Sequence, residues 1–302
     1  MKILIFGCSG QVGWELQRHL HSLGEVITFG REQADFSKPE KIRALVRKIK
    51  ADIIVNAVAY TNVDKAESEE ELATVINGIT PGVLAEEASN GGSLLVHYST
   101  DYVFDGEKTE PYTEIDIPNP VNAYGRSKIL GEQEIQSSGA DYLILRTSWI
   151  YASRGNNFLR TILRRATEQD ELSIVNDQIG APTWARLIAE TTEHCLHISA
   201  DERQNKIFTS GIYHLASAGD TSWYGFANKI IEHMQSWSDK KITIGNINPI
   251  KSTEYKKLVK RPMNSRLKTE KLEKKFGLVM PLWEDSLRLC MEEVVNSPSL
   301  CS

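Results

Sequence analysis

Lys2-Ile3-Leu4-Ile5-Phe6-Gly7-Cys8-Ser9-Gly10-Gln11-Val12-Gly13 is the stretch of sequence that decides the fold. Its apolar half is typical of a strand that is buried on both faces, as in a parallel sheet. After the glycine turn, Val12, Leu16 and Leu20 repeat on one side of an amphipathic helix. A strand, a glycine turn and a helix within about 20 residues are the setting of a dinucleotide-binding fingerprint.

The three glycines of this turn have separate tasks in such a fingerprint. Gly7 permits the tight turn, Gly10 lets the backbone approach a pyrophosphate, and Gly13 lets the helix pack closely on the strand. Their spacing is G-x-x-G-x-x-G rather than G-x-G-x-x-G. We expect the pyrophosphate to rest on the helix N-terminus, beside Gln11 and Val12.

The end of the second strand bears on the choice of cofactor. Residues 25–29 predict this strand, and Gly30-Arg31 follows where NAD-specific sites usually carry an acid for the ribose 2′-hydroxyl. Because Arg31 can pair with a 2′-phosphate, the sequence favours NADPH, with NADH also possible. The other residues that we expect to contact the cofactor are Asp35 and Phe36 at the adenine, and Ala57, Ala59 and Tyr60 after the third strand.

Strand and helix patterns alternate through the first half of the chain, which predicts βαβ units with right-handed crossovers. We expect six strands within residues 1–150, the last at 142–146. The fold class is therefore α/β, a Rossmann-type doubly wound parallel sheet. Beyond residue 150 the alternation fades, so residues 151–302 predict a smaller mixed α/β domain that mainly binds substrate. We expect parts of residues 170–220 to rejoin the dinucleotide-binding domain of residues 1–150.

Tyr124 and Lys128 lie four residues apart, which places a phenol and an ammonium on one face of a helix. A tyrosine has a pKa of about 10, and a fixed cation can bring it towards ~7 by favouring the phenolate. Ser99-Thr100-Asp101 follows a buried strand and can supply a hydroxyl that holds a substrate oxygen. These groups together suit proton transfer to a carbonyl or carbinol oxygen.

The bulk properties of the chain exclude several classes of function. A net charge of −5 over 302 residues leaves no basic excess for non-specific nucleic-acid binding. No apolar run approaches the ~20 residues that span a membrane, and no secretory signal pattern is present. The four cysteines, Cys8, Cys195, Cys290 and Cys301, have no framework spacing, which suits free thiols in a reducing cytosol. We therefore expect a cytoplasmic protein.

Taken together, the glycine turn, Ser99-Thr100-Asp101 and Tyr124-x-x-x-Lys128 resemble the extended short-chain dehydrogenases/reductases that act on nucleotide sugars. Finer signatures resemble the branch that reduces the C4 keto group of a dTDP-sugar, in the last step of dTDP-L-rhamnose synthesis. These signatures are residues 10–16, 63–67, 99–104, 146–149, 156–158, 176–178 and 261–265.

The resemblance implies a role for each matching residue. Tyr124 is the general acid, Lys128 lowers its pKa and holds the nicotinamide ribose, and Thr100 hydrogen-bonds the C4 oxygen. The remaining implied contacts of the dTDP-sugar are Asp101 and Trp149 at the sugar, Val63 in the loop beside it, and Asn157, Arg261 and Asn264 towards the nucleotide phosphates.

Two alternative functions and one departure from the family pattern remain. The same fold occurs in nucleotide-sugar epimerases and dehydratases. The dehydratase motif at this strand end is Thr-Asp-Glu, and here Tyr102 takes the place of the glutamate. The family also includes a non-catalytic regulatory subunit. Some members dimerise through a magnesium ion held by an acid at the position of Glu15 and by acids in a later helix. Because Arg186 replaces one such acid, we expect no metal site and a monomer or weak homodimer.

Overall fold

The computed structural model describes residues 1–237, 243–255 and 259–295 of the chain. Within them, the strands are β1 (Lys2–Phe6), β2 (Glu25–Phe29), β3 (Ile53–Asn56), β4 (Leu94–Thr100), β5 (Asp141–Thr147), β6 (Ile150–Tyr151), β7 (Glu171–Val175), β8 (Ile179–Gly180), β9 (Thr183–Trp184), β10 (Gly211–His214), β11 (Thr221–Ser222) and β12 (Asn246–Ile250). The helices are α1 (Gln11–His19), α2 (Pro39–Ile49), α3 (Val63–Ala66), α4 (Glu70–Thr74), α5 (Thr80–Gly91), α6 (Ala123–Ser137), α7 (Phe158–Glu168), α8 (Ala185–Gln204), α9 (Trp223–Trp237), α10 (Glu270–Phe276) and α11 (Trp283–Val295).

The central sheet has six parallel strands in the order β10-β5-β4-β3-β1-β2. From β1 the chain first moves to β2 on one side and then to β3 on the other. The strand order therefore reverses between β1 and β3, and ligands of open α/β sheets bind outside the carboxyl ends of the strands at such a point. This topology confirms the predicted Rossmann-type α/β class.

Helices cover both faces of the sheet, as continuous apolar strands require. Ile3, Ile5 and Val96 pack on one face beneath α1 and α8. Leu4 and Ile54 pack on the opposite face beneath α2, α5 and α6. The sheet is therefore rigid, and its carboxyl edge holds the loops that follow β1, β3, β4 and β5.

The prediction of six strands within residues 1–150 was wrong, because the structure has five long strands there, followed by the start of a two-residue strand at Ile150. The sixth sheet strand is β10, Gly211–His214, which pairs in parallel with β5. This strand lies within residues 170–220, parts of which we expect to rejoin the first domain, but a four-residue edge strand carries too little periodicity of its own to be placed in the sheet. The division into a cofactor-binding and a substrate-binding domain stays a prediction.

The short strands of the C-terminal half form three small pairings: β12 with β7, β11 with β8, and β6 with β9. Helix α9 packs on α7 and α11, and its aromatic side chains reach the carboxyl edge of the central sheet. Among the described residues, no helix is both long and apolar enough to cross a lipid bilayer.

Candidate active site

The glycine turn after β1 is built by close backbone contacts. Gly7 has a φ of +86°, and a Cβ there would lie 2.8 Å from the carbonyl of Ala57 at the end of β3. A Cβ on Gly13 would lie 2.1 Å from the Gly7 oxygen. A Cβ on Gly10 would meet only the Gly7 oxygen, at 3.4 Å, so the absence of a side chain there leaves room for a ligand. The three glycines thus have the geometry of a pyrophosphate cradle.

A cavity of about 590 Å³, the central cavity, opens at the carboxyl ends of β1, β3, β4 and β5. The predicted site residues that line it are Gly10, Gln11, Val12, Ala57, Ala59, Val63, Thr100, Asp101, Tyr124, Lys128, Trp149 and Asn157. Ser99 Oγ and Thr147 Oγ1 are buried at its strand ends and have no hydrogen-bond partner among the described residues. Buried hydroxyls usually have a hydrogen-bond partner, so these two are available to bind a polar ligand.

Thr100 and Asp101 form a buried polar pair where β4 ends. Thr100 Oγ1 donates to Asp101 Oδ1 at 3.0 Å and accepts from the Tyr102 N–H at 3.2 Å. Burial raises the pKa of Asp101 from 3.8 to about 6. The strand end therefore offers a hydroxyl fixed by backbone geometry beside a carboxyl group that is easily protonated.

Tyr124 reaches the same point from α6, which begins at the cap residue Asn122, whose side chain accepts from the Gly125 N–H. The Tyr124 ring packs edge-on against Tyr102, with centroids 5.5 Å apart. Burial raises the pKa of Tyr124 to about 12, and hydrogen bonding to Thr100 opposes that rise. This direction contradicts the expected lowering of the Tyr124 pKa, and it keeps the phenol protonated near neutral pH.

The position of Lys128 explains why the Tyr124 pKa is not lowered in the protein without ligand. Its side chain is 1% exposed, and Nζ donates to the Tyr98 carbonyl at 2.6 Å and contacts His97 Nε2 at 3.2 Å. The Lys128 nitrogen is thus held by β4 rather than by the phenol one turn away. Burial lowers the pKa of Lys128 from 10.5 to about 8, although the charge of Glu132 works against this.

Two tryptophans form a wall of the central cavity. Trp149 has a φ of +47°, an uncommon backbone conformation for a bulky residue, and its ring stacks on Trp223 with centroids 3.6 Å apart. A Cβ on Gly180 would lie 2.6 Å from the Trp149 ring, so glycine is required there. Strain of this kind is often found at ligand sites.

A second cavity of about 740 Å³, the C-terminal cavity, lies on the other side of Trp223. Trp223 lines both cavities, and Arg261 lines the C-terminal one. Arg261 donates to Asp64 at 3.3 Å. The other members of its lining are mostly residues of α7, β7 and the loop around residues 252–263, among them Phe158, Val175, Gln178, Tyr255 and Met263.

A third cavity of about 1060 Å³, the β2 cavity, extends from the glycine turn past the end of β2. Arg31 and Asp35 line it as predicted, together with Lys38, Lys41 and Lys48. Asp35 accepts from the Ser37 N–H at 3.0 Å, and this hydrogen bonding lowers the Asp35 pKa. The excess of cations suits a phosphate group.

Three predicted contact residues have other contacts in the structure. Phe36 is 3% exposed and packs edge-on against Phe6 in the core, and the Tyr60 hydroxyl donates to Glu69 at 2.6 Å, away from the cavities. Asn264 clamps two loops by donating to the carbonyls of Lys108 and Glu110. A loop's sequence does not indicate the direction of its side chains, and the ligand contacts of these three residues stay predictions.

Asn157 lines the central cavity, but its side chain is already engaged. Its Nδ2 donates to Gln11 Oε1 at 2.8 Å and to two carbonyl oxygens, while Oδ1 caps α7 by accepting from the Arg160 N–H. Asn157 thus ties the phosphate turn to α7 rather than offering free groups to phosphates.

The position of the family's magnesium site holds an ion-pair cluster here. Arg186 Nε lies 3.3 Å from Glu15 Oε2, and the same guanidinium contacts Glu293. Glu15 is 2% exposed, so its carboxylate is committed to this cation. The described residues contain no cluster of three or more His, Cys, Asp or Glu side chains that suits a metal ion. The expected loss of the metal site stays a prediction.

Sequence reasoning assigned no ligand contact to Trp223, Tyr102 or Thr147, which line the central cavity, and it named Ser99 only as part of the Ser99-Thr100-Asp101 strand end. Ser99 and Thr147 were recognisable, because each ends a buried strand beside a predicted site residue. Trp223 had no such signal: it reaches the cavity only through the packing of α9.

The sheet, the glycine cradle and the set of Thr100, Tyr124 and Lys128 define an NAD(P)-dependent oxidoreductase of the extended short-chain dehydrogenase/reductase class. The family model described as RmlD substrate binding domain matches residues 1–296. The chain therefore belongs to the dTDP-4-dehydrorhamnose reductase family, as its named relatives show.

Among these relatives, the dTDP-4-dehydrorhamnose reductase of Burkholderia thailandensis is 48% identical over 300 residues, covering 98% of this chain and 100% of the relative. That of Escherichia coli K12 is 43% identical, covering 99% and 100%. The crystal structure of the Bacillus anthracis enzyme in complex with NADP superposes with a TM-score of 0.88 at 34% identity, covering 97% and 99%. Similarity over the whole length confirms the family resemblance seen in the motifs.

Proposed function

We propose that the protein reduces the C4 keto group of dTDP-4-dehydro-L-rhamnose (dTDP-6-deoxy-L-lyxo-4-hexulose) to give dTDP-L-rhamnose, with NADPH as the preferred reductant. The observation that carries the proposal is that Thr100, Tyr124 and Lys128 meet in one cavity beside the glycine cradle. Relatives named for this activity match the chain from end to end.

The chain's residues fit the cofactor. Gly7, Gly10 and Gly13 leave space for a pyrophosphate at the N-terminus of α1, where backbone N–H groups favour an anion. Arg31 with the lysines of the β2 cavity suits a 2′-phosphate, and the Bacillus anthracis relative holds NADP. When bound, a reduced nicotinamide supplies the hydride. Lys128 would hydrogen-bond the ribose of that nicotinamide.

Proton delivery is the task of Tyr124. The phenol is protonated near neutral pH, as a general acid requires, although burial raises its pKa to about 12 and so works against release of the proton. Thr100 holds the carbonyl oxygen by turning its hydroxyl proton from Asp101 towards the substrate, beside the Tyr124 phenol. Lys128 in its charged form stabilises the phenolate that develops as the proton leaves. Positioned proton transfer of this kind contributes about 10²–10⁴-fold to the rate.

The remaining assignments complete the proposal. Asp101, Val63 and Trp149 surround the sugar in the central cavity, and Arg261 in the C-terminal cavity serves the nucleotide. Residues 1–150 with β10 and α8 form the cofactor-binding part, and the rest of the chain mainly binds substrate. We propose a cytoplasmic monomer or weak homodimer. Cys8, Cys195 and Cys290 are free thiols, which supports that location, and Cys301 lies outside the described residues.

A turnover assay separates this proposal from its rivals. The keto-sugar nucleotide is supplied with NADPH or with NADH, and oxidation of the reduced nicotinamide is followed by absorbance. We expect stoichiometric oxidation, faster with NADPH. An epimerase or dehydratase would show no net oxidation, and a regulatory subunit would show no turnover at all. Tyr124→Phe is the control, because it removes the proton donor and leaves the fold intact.

A further inference from the structure

Three side chains that are buried beneath α6 form a hydrogen-bonded row behind the active site. Asn56, His97 and Lys128 are each 0–1% exposed. Asn56 and His97 are neighbours across β3 and β4 and face the same side of the sheet. Asn56 Nδ2 lies 3.0 Å from His97 Nδ1, and Lys128 Nζ lies 3.2 Å from His97 Nε2. Because these side chains are out of contact with water, an unpaired donor or acceptor among them would cost free energy, so the position of each proton affects stability.

The Asn56 side chain decides which ring nitrogen of His97 carries the proton. Asn56 Oδ1 accepts from the Val58 N–H at 3.1 Å, so the amide nitrogen has to face the ring. His97 is neutral, because burial and the nearby Lys128 lower its pKa well below 6.5. A neutral imidazole has one N–H and one acceptor nitrogen. Nδ1 therefore accepts from Asn56, and Nε2 carries the proton.

That proton points at Lys128. An ammonium group has three donors and no acceptor, whereas an uncharged amine has a lone pair. Lys128 Nζ already donates to the Tyr98 carbonyl at 2.6 Å. An uncharged Nζ satisfies both contacts, by donating to Tyr98 and accepting from His97. A charged Nζ faces the Nε2 proton without an acceptor.

The surroundings of Lys128 allow this choice. Glu132 lies one turn further along α6, but its carboxylate is held by Arg146 of β5 at 2.9 and 2.6 Å. On the other side are Tyr124 of the same helix and Asp101 beyond β4, a carboxyl group that burial makes easier to protonate. Among the described residues, no carboxylate forms an ion pair with Lys128.

We propose that His97 is a positioning residue for Lys128, donating from Nε2 to hold the lysine nitrogen against the Tyr98 carbonyl and to favour its uncharged form. Asn56 fixes the required tautomer. As a result, the charged and uncharged forms of Lys128 have similar free energies, so Lys128 gains and loses a proton readily at working pH. This role rests on the proposed function, in which Lys128 serves the cofactor and Tyr124.

The tautomer is measurable without turnover. The cofactor-free full chain is labelled with ¹⁵N-histidine, and long-range ¹H–¹⁵N spectra are recorded on both sides of the Lys128 pKa of about 8. The His97 signal is the one missing from His97→Gln. We expect a neutral ring with the proton on Nε2 above that pH, and a change in the Nε2 chemical shift, with the tautomer held by Asn56, as Lys128 gains its proton. A ring with the proton on Nδ1 above that pH, or one indifferent to this titration, overturns the proposal.

A matched pair of variants tests the consequence for catalysis. His97→Gln places an amide N–H near the position of Nε2 and keeps a donor towards Lys128, whereas His97→Asn reaches only the position of Nδ1. Because burial puts the Tyr124 pKa of the free protein at about 12, an alkaline fall of kcat/KM near pH 8 reports Lys128.

We expect that fall to move up by about one pH unit in His97→Asn and to stay in place in His97→Gln, with KM for the keto-sugar unchanged. Equal shifts in both variants, or no shift in either, contradict the proposal. The spectra need only His97→Gln, for the assignment, so they still decide if His97→Asn fails to fold. Absence of turnover in the wild type would instead contradict the proposed function and leave the tautomer result standing.

Discussion

The central cavity and the C-terminal cavity share Trp223 but are built in different ways. The central cavity is lined by residues at the ends of long parallel strands and at the start of α6, where backbone geometry fixes the side chains. The C-terminal cavity is lined by side chains from a helix, a short strand and loops that meet only in the folded chain. The first is suited to the reacting groups, which need exact placement, and the second to holding the rest of a substrate.

This difference predicts separate kinetic effects. Substitutions in the central cavity should lower kcat, because they remove interactions made in the transition state. Substitutions in the C-terminal cavity should mainly raise KM, because they remove binding that is equal in the ground and transition states.

Tyr124→Phe should have the largest effect. It removes the proton donor while keeping the edge-on contact with Tyr102, so we expect kcat to fall by about 10²–10⁴-fold with little change in KM. Steady-state rates with NADPH and the keto-sugar measure this, and a thermal melt controls for folding. A variant with more than a tenth of the wild-type kcat would show that another group delivers the proton.

Glu132→Gln tests the support beneath the central cavity. Glu132 of α6 and Arg146 of β5 form an ion pair in which both side chains are at most 2% exposed. Removing the carboxylate leaves the guanidinium charge buried without a partner. We therefore expect the free energy of unfolding, measured with urea, to fall by about 3–5 kcal/mol. The double variant Glu132→Gln with Arg146→Met should recover much of that loss. Equal losses in the single and double variants would contradict this account.

Asp101→Asn tests the cost of a buried carboxyl group in the central cavity. Burial raises the Asp101 pKa from 3.8 to about 6, so its favourable contribution is complete below pH 3.8 and is lost as pH rises through 6. The variant should match the wild type near pH 4 and exceed it by about 2–3 kcal/mol above pH 7. Urea unfolding across this range measures the difference. A constant difference at all pH values would refute the assigned ionisation.

The sequence could predict most of the fold and the centre of the site because both depend on local patterns. Continuous apolar strands indicate a parallel sheet, and residues such as Thr100 and Tyr124 follow directly from strand ends and helix starts. Arg31, which follows β2, lines the β2 cavity, and its contact with the cofactor stays a prediction. The direction of a side chain in an irregular loop depends on distant partners, so the hydrogen bonds of Asn264 and Tyr60 to other parts of the chain could not be read from the sequence. The raised Tyr124 pKa was missed because spacing indicates proximity to Lys128 but says nothing of burial.

Trp223→Ala examines the wall between the two cavities. Because Trp223 lines both cavities, its removal takes away an apolar contact for a bound substrate and should raise KM about tenfold, with a much smaller change in kcat. Loss of the stack on Trp149 should separately lower the free energy of unfolding by at least about 0.5–1.5 kcal/mol. Trp223→Phe keeps an aromatic face and is the matched control, with a smaller rise in KM expected. If kcat falls while KM is unchanged, Trp223 acts on the chemistry, and the two cavities are not separable in this way.

Removal of divalent metal should have the smallest effect, because the carboxylates of Glu15 and Glu293, outside both cavities, already pair with Arg186. The Arg186 guanidinium lies between Glu15 and Glu293, where a cation ligates no magnesium and repels it. We therefore expect the same mass in solution with and without EDTA, and unchanged kcat and KM. Arg186→Gln should lower the free energy of unfolding by about 1 kcal/mol, since Arg186 is partly exposed, and should leave the mass equally insensitive to chelation. A wild-type dimer that dissociates on chelation would show that the two glutamates bind metal in spite of Arg186, and that this face joins copies of the chain.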